Sequence, residues 1–311
     1  MISLKSKIFI AGHRGLVGSA IVRVLKKKGY SNLLFAERSK LDLKDQKKVY
    51  NYLKKNKPKF IFIAAAKVGG IYSNSKYKAD FIYENLVIQT NLINAAYMNG
   101  IKNLIFLGSS CVYPKKCKQP IKEEYLLSGP LEPTNDAYAI AKIAGIKMCQ
   151  SYNEQYNTNY KCLMPTNVFG RNDNYHQLNS HFVPALINKI HDVKINNKTK
   201  IKIWGDGSPK RELMYVEDLA EACVYFMNKK TKHSIINIGT GHDASIKTLT
   251  KKLLKILIPQ KKIAIIFDLS KPNGTPRKIL DISIAKKYGW KSKYKLDFAI
   301  QETYKNFLSK R

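Results

Sequence analysis

The sequence is short of several things that would each have named a class of protein. No run approaches the roughly 18 uninterrupted apolar residues that a membrane-spanning helix needs. The opening MISLKSKIFIAGHRG begins a strand almost at once, with no room for a signal peptide's apolar core and cleavage site. Cysteine is sparse: five, an odd number without zinc-type spacing. That excludes a disulfide framework and a metal module, and points to free thiols in a reducing compartment, with the cytoplasm as the expected location.

Acidic residues are also few, 22 against 55 basic ones, giving a formal net charge of +33. Such an excess invites a nucleic-acid reading, but only seven of the basic residues are arginine. Lysine comes in short runs such as Lys26-Lys27-Lys28, Lys54-Lys55, Lys229-Lys230 and Lys261-Lys262. Base-edge readers prefer the planar fork of arginine, and no helix-turn-helix, zinc finger or ribonucleoprotein motif is present. The lysines read as solvated surface that draws in negatively charged small molecules, so no nucleic-acid partner is expected. With 44% hydrophobic and 25% charged residues in 311, the chain has the balance of a soluble globular protein and room for one large domain or two joined ones.

The first half alternates short apolar runs with amphipathic stretches. Lys7–Ala11, Leu33–Ala36, Phe60–Ala65 and Leu104–Leu107 read as strands. Between them come a helix bearing Val17, Ile21, Val24 and Leu25, another around Val49 and Leu53 that closes before Pro58, and long ones over 80–98 and about 137–155. Strands apolar throughout, separated by helices, predict an α/β fold: a doubly wound parallel sheet covered on both faces. After Met164 the alternation fades. Residues 167–179 read as a loop, Ile201–Trp204 as a short strand before a Gly-Asp-Gly turn, Glu217–Met227 as a helix and Ile235–Ile238 as a strand. Residues 245–311 hold two or three helices and a further strand. The expected division is a dinucleotide-binding domain of 1–166 plus about 213–241, with about 167–212 and 242–311 forming a smaller α/β substrate lobe over the open strand ends.

Gly12-His-Arg-Gly15-Leu-Val-Gly18 stands between the first strand and the first helix. Its glycines allow a tight turn and close approach of backbone to a pyrophosphate at the helix N-terminus. The second strand ends in Ala36-Glu37-Arg38. A carboxylate there suits a ribose 2′-hydroxyl and an arginine a 2′-phosphate. With Arg38 and Arg14 both able to serve that phosphate, NADP(H) is favoured, and Glu37 speaks for NAD. Tyr138-Ala-Ile-Ala-Lys142 places a phenol and an ammonium one helical turn apart, where the positive charge favours phenolate and lowers the tyrosine's pKa. Ser109 follows the fourth strand on the same sheet edge, placed to polarise a carbonyl held by Tyr138.

Together these parts resemble the extended short-chain dehydrogenase/reductases over nearly the whole chain. Within that superfamily, several stretches are similar to the GDP-L-fucose synthase family: Ala64–Gly70, Gly108-Ser-Ser-Cys-Val-Tyr-Pro114, Glu132-Pro-Thr-Asn135, Tyr138–Lys147, Met164-Pro-Thr-Asn167, Asn179-Ser-His181 and Trp204-Gly-Asp-Gly207. The resemblance implies 3,5-epimerisation and NADPH-dependent 4-reduction of a GDP-linked 4-keto-6-deoxy sugar. In that scheme Cys111 and His181 are the acid/base pair of the inversions and Tyr138 the proton donor of the reduction. Lys142 holds the nicotinamide ribose, and Ser109 stabilises the oxyanion. It further implies cofactor contacts at Gly12, Arg14, Gly15, Leu16, Val17, Gly18, Arg38, Leu107, Gly108, Lys142, Pro165, Asn167, Val168 and His181. Substrate contacts are implied at Lys189, Trp204, Arg211 and Asn273, and at Lys278. Three departures stand out: Lys189 where arginine is common, Asn273 where aspartate is, and Arg171 in place of a proline. The helices over 80–98 and 137–155 pair across a homodimer in the resembling family. Two other readings compete: a related nucleotide-sugar epimerase or dehydratase with no net redox change, and the same fold reused to bind nucleic acid.

Overall fold

The computed structural model describes the chain apart from Met1, Gln177, Leu178 and Pro272. Its first half runs β1 (Ile8–Ala11), α1 (Leu16–Lys27), β2 (Leu33–Leu34), α2 (Gln46–Asn56), β3 (Phe60–Ile63), α3 (Ile71–Lys76), α4 (Lys78–Met98), β4 (Asn103–Leu107), α5 (Asp136–Tyr156) and β5 (Asn159–Pro165). Local chemistry sets several of these ends. Asp45 accepts the Lys48 amide at the start of α2, and Lys57, in a left-handed conformation, stops it before Pro58. Asn157 closes α5 in the same way. The fifth strand was absent from the sequence reading, where its lysine and leading asparagine broke the apolar run. The second strand is two residues long rather than four.

Beyond β5 come β6 (Asn167–Phe169), α6 (Phe182–Ile195), β7 (Lys200–Trp204), β8 (Lys210–Tyr215), α7 (Val216–Asn228), β9 (Ile235–Ile238), β10 (Asp243–Ser245), α8 (Ile246–Leu257), β11 (Ala264–Asp268), β12 (Arg277–Lys278), α9 (Ser283–Lys287) and α10 (Leu296–Leu308). Six parallel strands form the main sheet in the order β2-β1-β3-β4-β5-β9. The order reverses between β1 and β3, the position where such sheets bind ligands at the carboxyl ends of their strands. A second sheet joins β10, β8 and β12, with β6 on β8, and β7 pairs with β11. Of these strands β6 falls in the stretch expected to be loop, β7 matches the strand expected at Ile201–Trp204, and β8 was not expected.

Successive residues of the central strands serve opposite faces. Ile8 and Ile10 belong to the apolar cluster that packs α1, α7 and the second sheet; Phe9 and Ala11 belong to the one beneath α2, α4 and α5. All four are essentially inaccessible to solvent. At about 1.5–3 kcal/mol for each fully buried large aliphatic or aromatic side chain, this two-sided burial rigidifies the strand ends from which the site is built. Among the described residues no helix is long and apolar enough to cross a membrane, and no cluster of ligating side chains could hold a metal ion.

Candidate functional site

At the carboxyl end of β1 the chain turns at Gly12 with φ of 85°, a conformation costly to any residue with a Cβ. A Cβ there would stand 2.7 Å from the Ala65 amide nitrogen, and one on Gly18 would collide with the Gly12 carbonyl oxygen. The Gly15 amide donates to that same carbonyl at 3.0 Å. Gly15 also caps α1 without any side chain to satisfy the first-turn amides. The result is a tight cradle with free backbone donors and the positive end of a helix, which suits a pyrophosphate. Because the sheet is parallel, Leu107 and Gly108 at the end of β4, and Pro165, Asn167 and Val168 around β5 and β6, lie along the same edge as this cradle. Arg14 forms a 2.7 Å ion pair with Glu37, both well exposed, so the arginine that was expected to face a phosphate first neutralises the neighbouring carboxylate. Arg38 is exposed beside them.

The Tyr138–Lys142 pair lies on α5 as the spacing required, but its electrostatics differ from expectation. Lys142 is buried, and its Nζ donates to the Leu107 carbonyl at 2.9 Å above the ring of Phe106. Burial lowers its pKa from 10.5 to about 8. The Tyr138 phenol is not lowered. Burial pushes it well up, the Cys111 thiol adds to the rise, and a hydrogen bond with Ser109 only partly opposes them. The ammonium sits 5.8 Å from the ring centroid of Tyr138, and desolvation of the phenol outweighs whatever it gains there. Tyr138 in this pocket is a protonated donor. Ser109 starts a short turn of 3-10 helix over Ser110–Val112 and accepts the Cys111 amide with its hydroxyl at 3.2 Å.

That turn aims Cys111 at a polar group assembled from distant parts of the chain. Asn135 Nδ2 donates to its Sγ at 3.3 Å, and Lys278 Nζ does so at 3.6 Å. The Lys278 charge also depresses the His181 imidazole, after burial among protein atoms, which contributes more. His181 caps the start of α6 and stands open to the cleft. Arg211, whose pKa is lowered by burial, pairs with Lys278 across the β8–β12 ladder and donates to the carbonyls of Lys210 and Asn273. Thiol, imidazole and two cations therefore meet in one place. Lys278, read from the sequence as a weaker substrate contact, is the cation nearest the thiol. Asn135 was missed as a site residue, although its motif had been singled out; its Oδ1 is buried with no hydrogen-bond partner among the described residues.

The outer wall is less tightly organised. Lys189 donates to the Lys202 carbonyl at 2.8 Å, and burial lowers its pKa. Trp204 is 39% exposed with the Lys271 ammonium 5.7 Å from its ring. Asn273 is exposed, and its Oδ1 accepts the Asp206 amide at 2.9 Å, fixing the bend in which Gly205 has φ of 73°. Pro272, in the same motif, lies outside the described residues. Arg171 pairs with Glu302 on α10 instead of entering the site.

Comparison with known proteins agrees with this geometry. The profile of the NAD dependent epimerase/dehydratase family matches residues 8–239. A putative GDP-L-fucose synthase 2 of Arabidopsis thaliana is 49% identical over 308 residues, 99% of this chain and 93% of its own. The GDP-L-fucose synthase of Escherichia coli K12 is 45% identical over 98% of this chain and 97% of its own. Among solved structures, a GDP-mannoheptose C4 reductase from Campylobacter jejuni with NADP bound is similar with a TM-score of 0.90 and 36% identity, covering 99% of this chain and 100% of that one.

Proposed function

We propose that this chain, which belongs to the NAD dependent epimerase/dehydratase family, inverts C3 and C5 of GDP-4-keto-6-deoxy-D-mannose and reduces C4 to give GDP-L-fucose, with NADPH as reductant. The observation that carries the reading is the meeting of Cys111, His181 and Lys278 beside a protonated Tyr138 at the edge of a dinucleotide cradle. The relatives named GDP-L-fucose synthase at 45–49% identity and the NADP-bound neighbour support it.

The Gly12–Gly18 cradle fits a pyrophosphate, with no room for a side chain at either end. The exposed Arg14 and Arg38 fit a 2′-phosphate, Glu37 being already paired. When bound, NADPH supplies the hydride that reduces the C4 ketone. The remaining chemistry belongs to the chain. A C4 ketone acidifies the hydrogens on C3 and C5, so a base can take each proton and an acid on the other face can return one. Cys111, whose sulfur accepts hydrogen bonds from Lys278 and Asn135, and His181, whose imidazole pKa is lowered by burial, form that pair. Tyr138 then donates its proton to the oxygen that becomes the C4 hydroxyl, for which a raised pKa keeps it supplied. Ser109 hydrogen-bonds that oxygen, and Lys142 holds the nicotinamide ribose. Arg211 and Lys189 serve the diphosphate, and Trp204 presents an aromatic face.

In the same reading, 1–166 with about 213–241 form the NADP domain and the remainder the substrate lobe. The exposed Tyr83, Met98, Ile140 and Tyr156 of α4 and α5 (62, 58, 48 and 38% accessible) are covered in a homodimer, and the five free cysteines suit the cytoplasm. A second reading, C4 reduction of a GDP-heptose, is favoured by the C. jejuni neighbour. One experiment separates them. The protein supplied with NADPH and GDP-4-keto-6-deoxy-D-mannose should oxidise NADPH stoichiometrically and incorporate solvent deuterium at C3 and C5. No turnover of that sugar alongside turnover of the keto-heptose would overturn the first reading. Light scattering that gives a 35.5 kDa particle would remove the dimer.

A further inference from the structure

Glu212 lies in the middle of β8, completely buried, next to Arg211. An ionised carboxylate in such a place is costly unless its oxygens are fully hydrogen-bonded. No cation reaches it among the described residues. Its partners are backbone amides from two remote segments and the Thr240 hydroxyl at 3.3 Å. Oε1 accepts the amides of Thr240 and Gly241 at 2.5 and 2.7 Å, just after β9. Oε2 accepts the Leu280 amide at 3.0 Å, two residues beyond Lys278. The backbone carbonyl of Glu212 takes the Thr166 hydroxyl and the Asn167 amide at 3.2 and 3.0 Å, on the cofactor edge. β12 itself is only Arg277–Lys278, laid parallel on Lys210–Arg211 of β8. The segment is anchored on one side by the Arg277–Asp243 ion pair and by backbone bonds of Ile279 and Asp281 to Ile121, and the Leu280 bond ties it to a side chain of β8.

We propose that Glu212 is a positioning residue, which from beneath β8 holds the segment bearing Lys278 and thereby sets that ammonium on the Cys111 thiol. The inference rests on the reading of Cys111 as an acid/base group of the inversions. Its consequence is that a residue touching neither substrate nor cofactor governs proton transfer more than it governs reduction.

The test uses the full-length protein without substrate. Alkylation of Cys111 by iodoacetamide is followed by mass spectrometry of its peptide, because a neighbouring cation raises thiolate reactivity. Glu212→Gln keeps an acceptor for Thr240 and Gly241 but turns an NH2 toward the Leu280 amide. Glu212→Asp keeps the charge but shortens the reach to Leu280, and serves if the glutamine variant does not fold. Either change, like Lys278→Met, should slow alkylation about tenfold. The Glu212 and Lys278 changes together should be no slower than Lys278→Met alone, since one acts through the other. Effects that multiply in the double variant, or an unchanged rate in a folded Glu212 variant, would overturn the proposal. With substrate and NADPH, deuterium entry at C3 and C5 should fall in the Glu212 variant while its affinity for NADPH holds. A wild-type enzyme that exchanges no deuterium would instead sink the proposed reaction, leaving the alkylation result to judge Glu212 on its own.

Discussion

Two corners of the cleft are built on different plans. The reductive corner is Tyr138, Lys142 and Ser109: one helix and one strand end, with Lys142 buried and tied to backbone through the Leu107 carbonyl and with Tyr138 and Ser109 half-buried beside it. The corner proposed for the inversions is Cys111, Asn135, His181, Arg211 and Lys278, drawn from five segments, with His181 exposed and the other four half-buried. The first is positioned by the helical repeat and by burial, so it changes little when remote parts move. The second depends on β12, β8 and the start of α6 keeping their mutual register. Chemistry that demands one proton delivered once sits on the rigid plan. Chemistry that must serve two carbons sits where groups of different charge can be gathered.

Tyr138→Phe should break the two corners apart most visibly. Turnover should fall by about 10²–10⁴, with NADPH affinity kept and deuterium still entering at C3 and C5. Cys111→Ser should show the converse, with exchange lowered roughly a hundredfold and reduction of an already inverted 4-keto sugar retained. Loss of both activities in both variants would dissolve the distinction. The pH response sharpens it. Burial takes Lys142 from 10.5 to about 8, so kcat/KM for NADPH should fall above about pH 8 as the cation is lost. Stability should move the other way. Between 8 and 10.5 the unfolded chain holds the Lys142 proton and the native one does not, so this residue's contribution rises with pH. Denaturant titrations of wild type and Lys142→Met across that window check the sign. Smallest of all, Arg14→Ala should change stability by less than about 1 kcal/mol, because the Glu37 pair is exposed. It should still weaken NADPH more than NADH, measured by cofactor fluorescence, by freeing Glu37 to favour a ribose hydroxyl.

The reductive corner was legible in the sequence because its geometry is local: the i, i+4 spacing of Tyr138 and Lys142 determines which face they share. The glycine loop was legible for the same reason, as were β1, β3, β4 and the helices flanking them. The sense of the Tyr138 shift was not, since the i, i+4 spacing reports a neighbouring charge but not the burial that outweighs it. β8 went unseen because Glu212 interrupts its apolar run; β6 and α3 are too short to show a period. Lys278 was named but given to the substrate, because only the tertiary pairing of β12 with β8 brings it to Cys111. Asn273 shows the reverse: a residue read as facing the sugar is engaged in a bend of its own lobe.

The place of β9 at the margin of the main sheet has a consequence for biosynthesis. The chain leaves that sheet at Pro165 and returns only at Ile235. A nascent polypeptide that has emerged as far as β5 therefore presents the outer edge of β5 unpaired, and the strand that seals it lies some seventy residues further along the chain, yet to be translated. Release of a finished sheet must wait until most of the second half has been translated, and chaperone binding during that interval should centre on Tyr160–Met164.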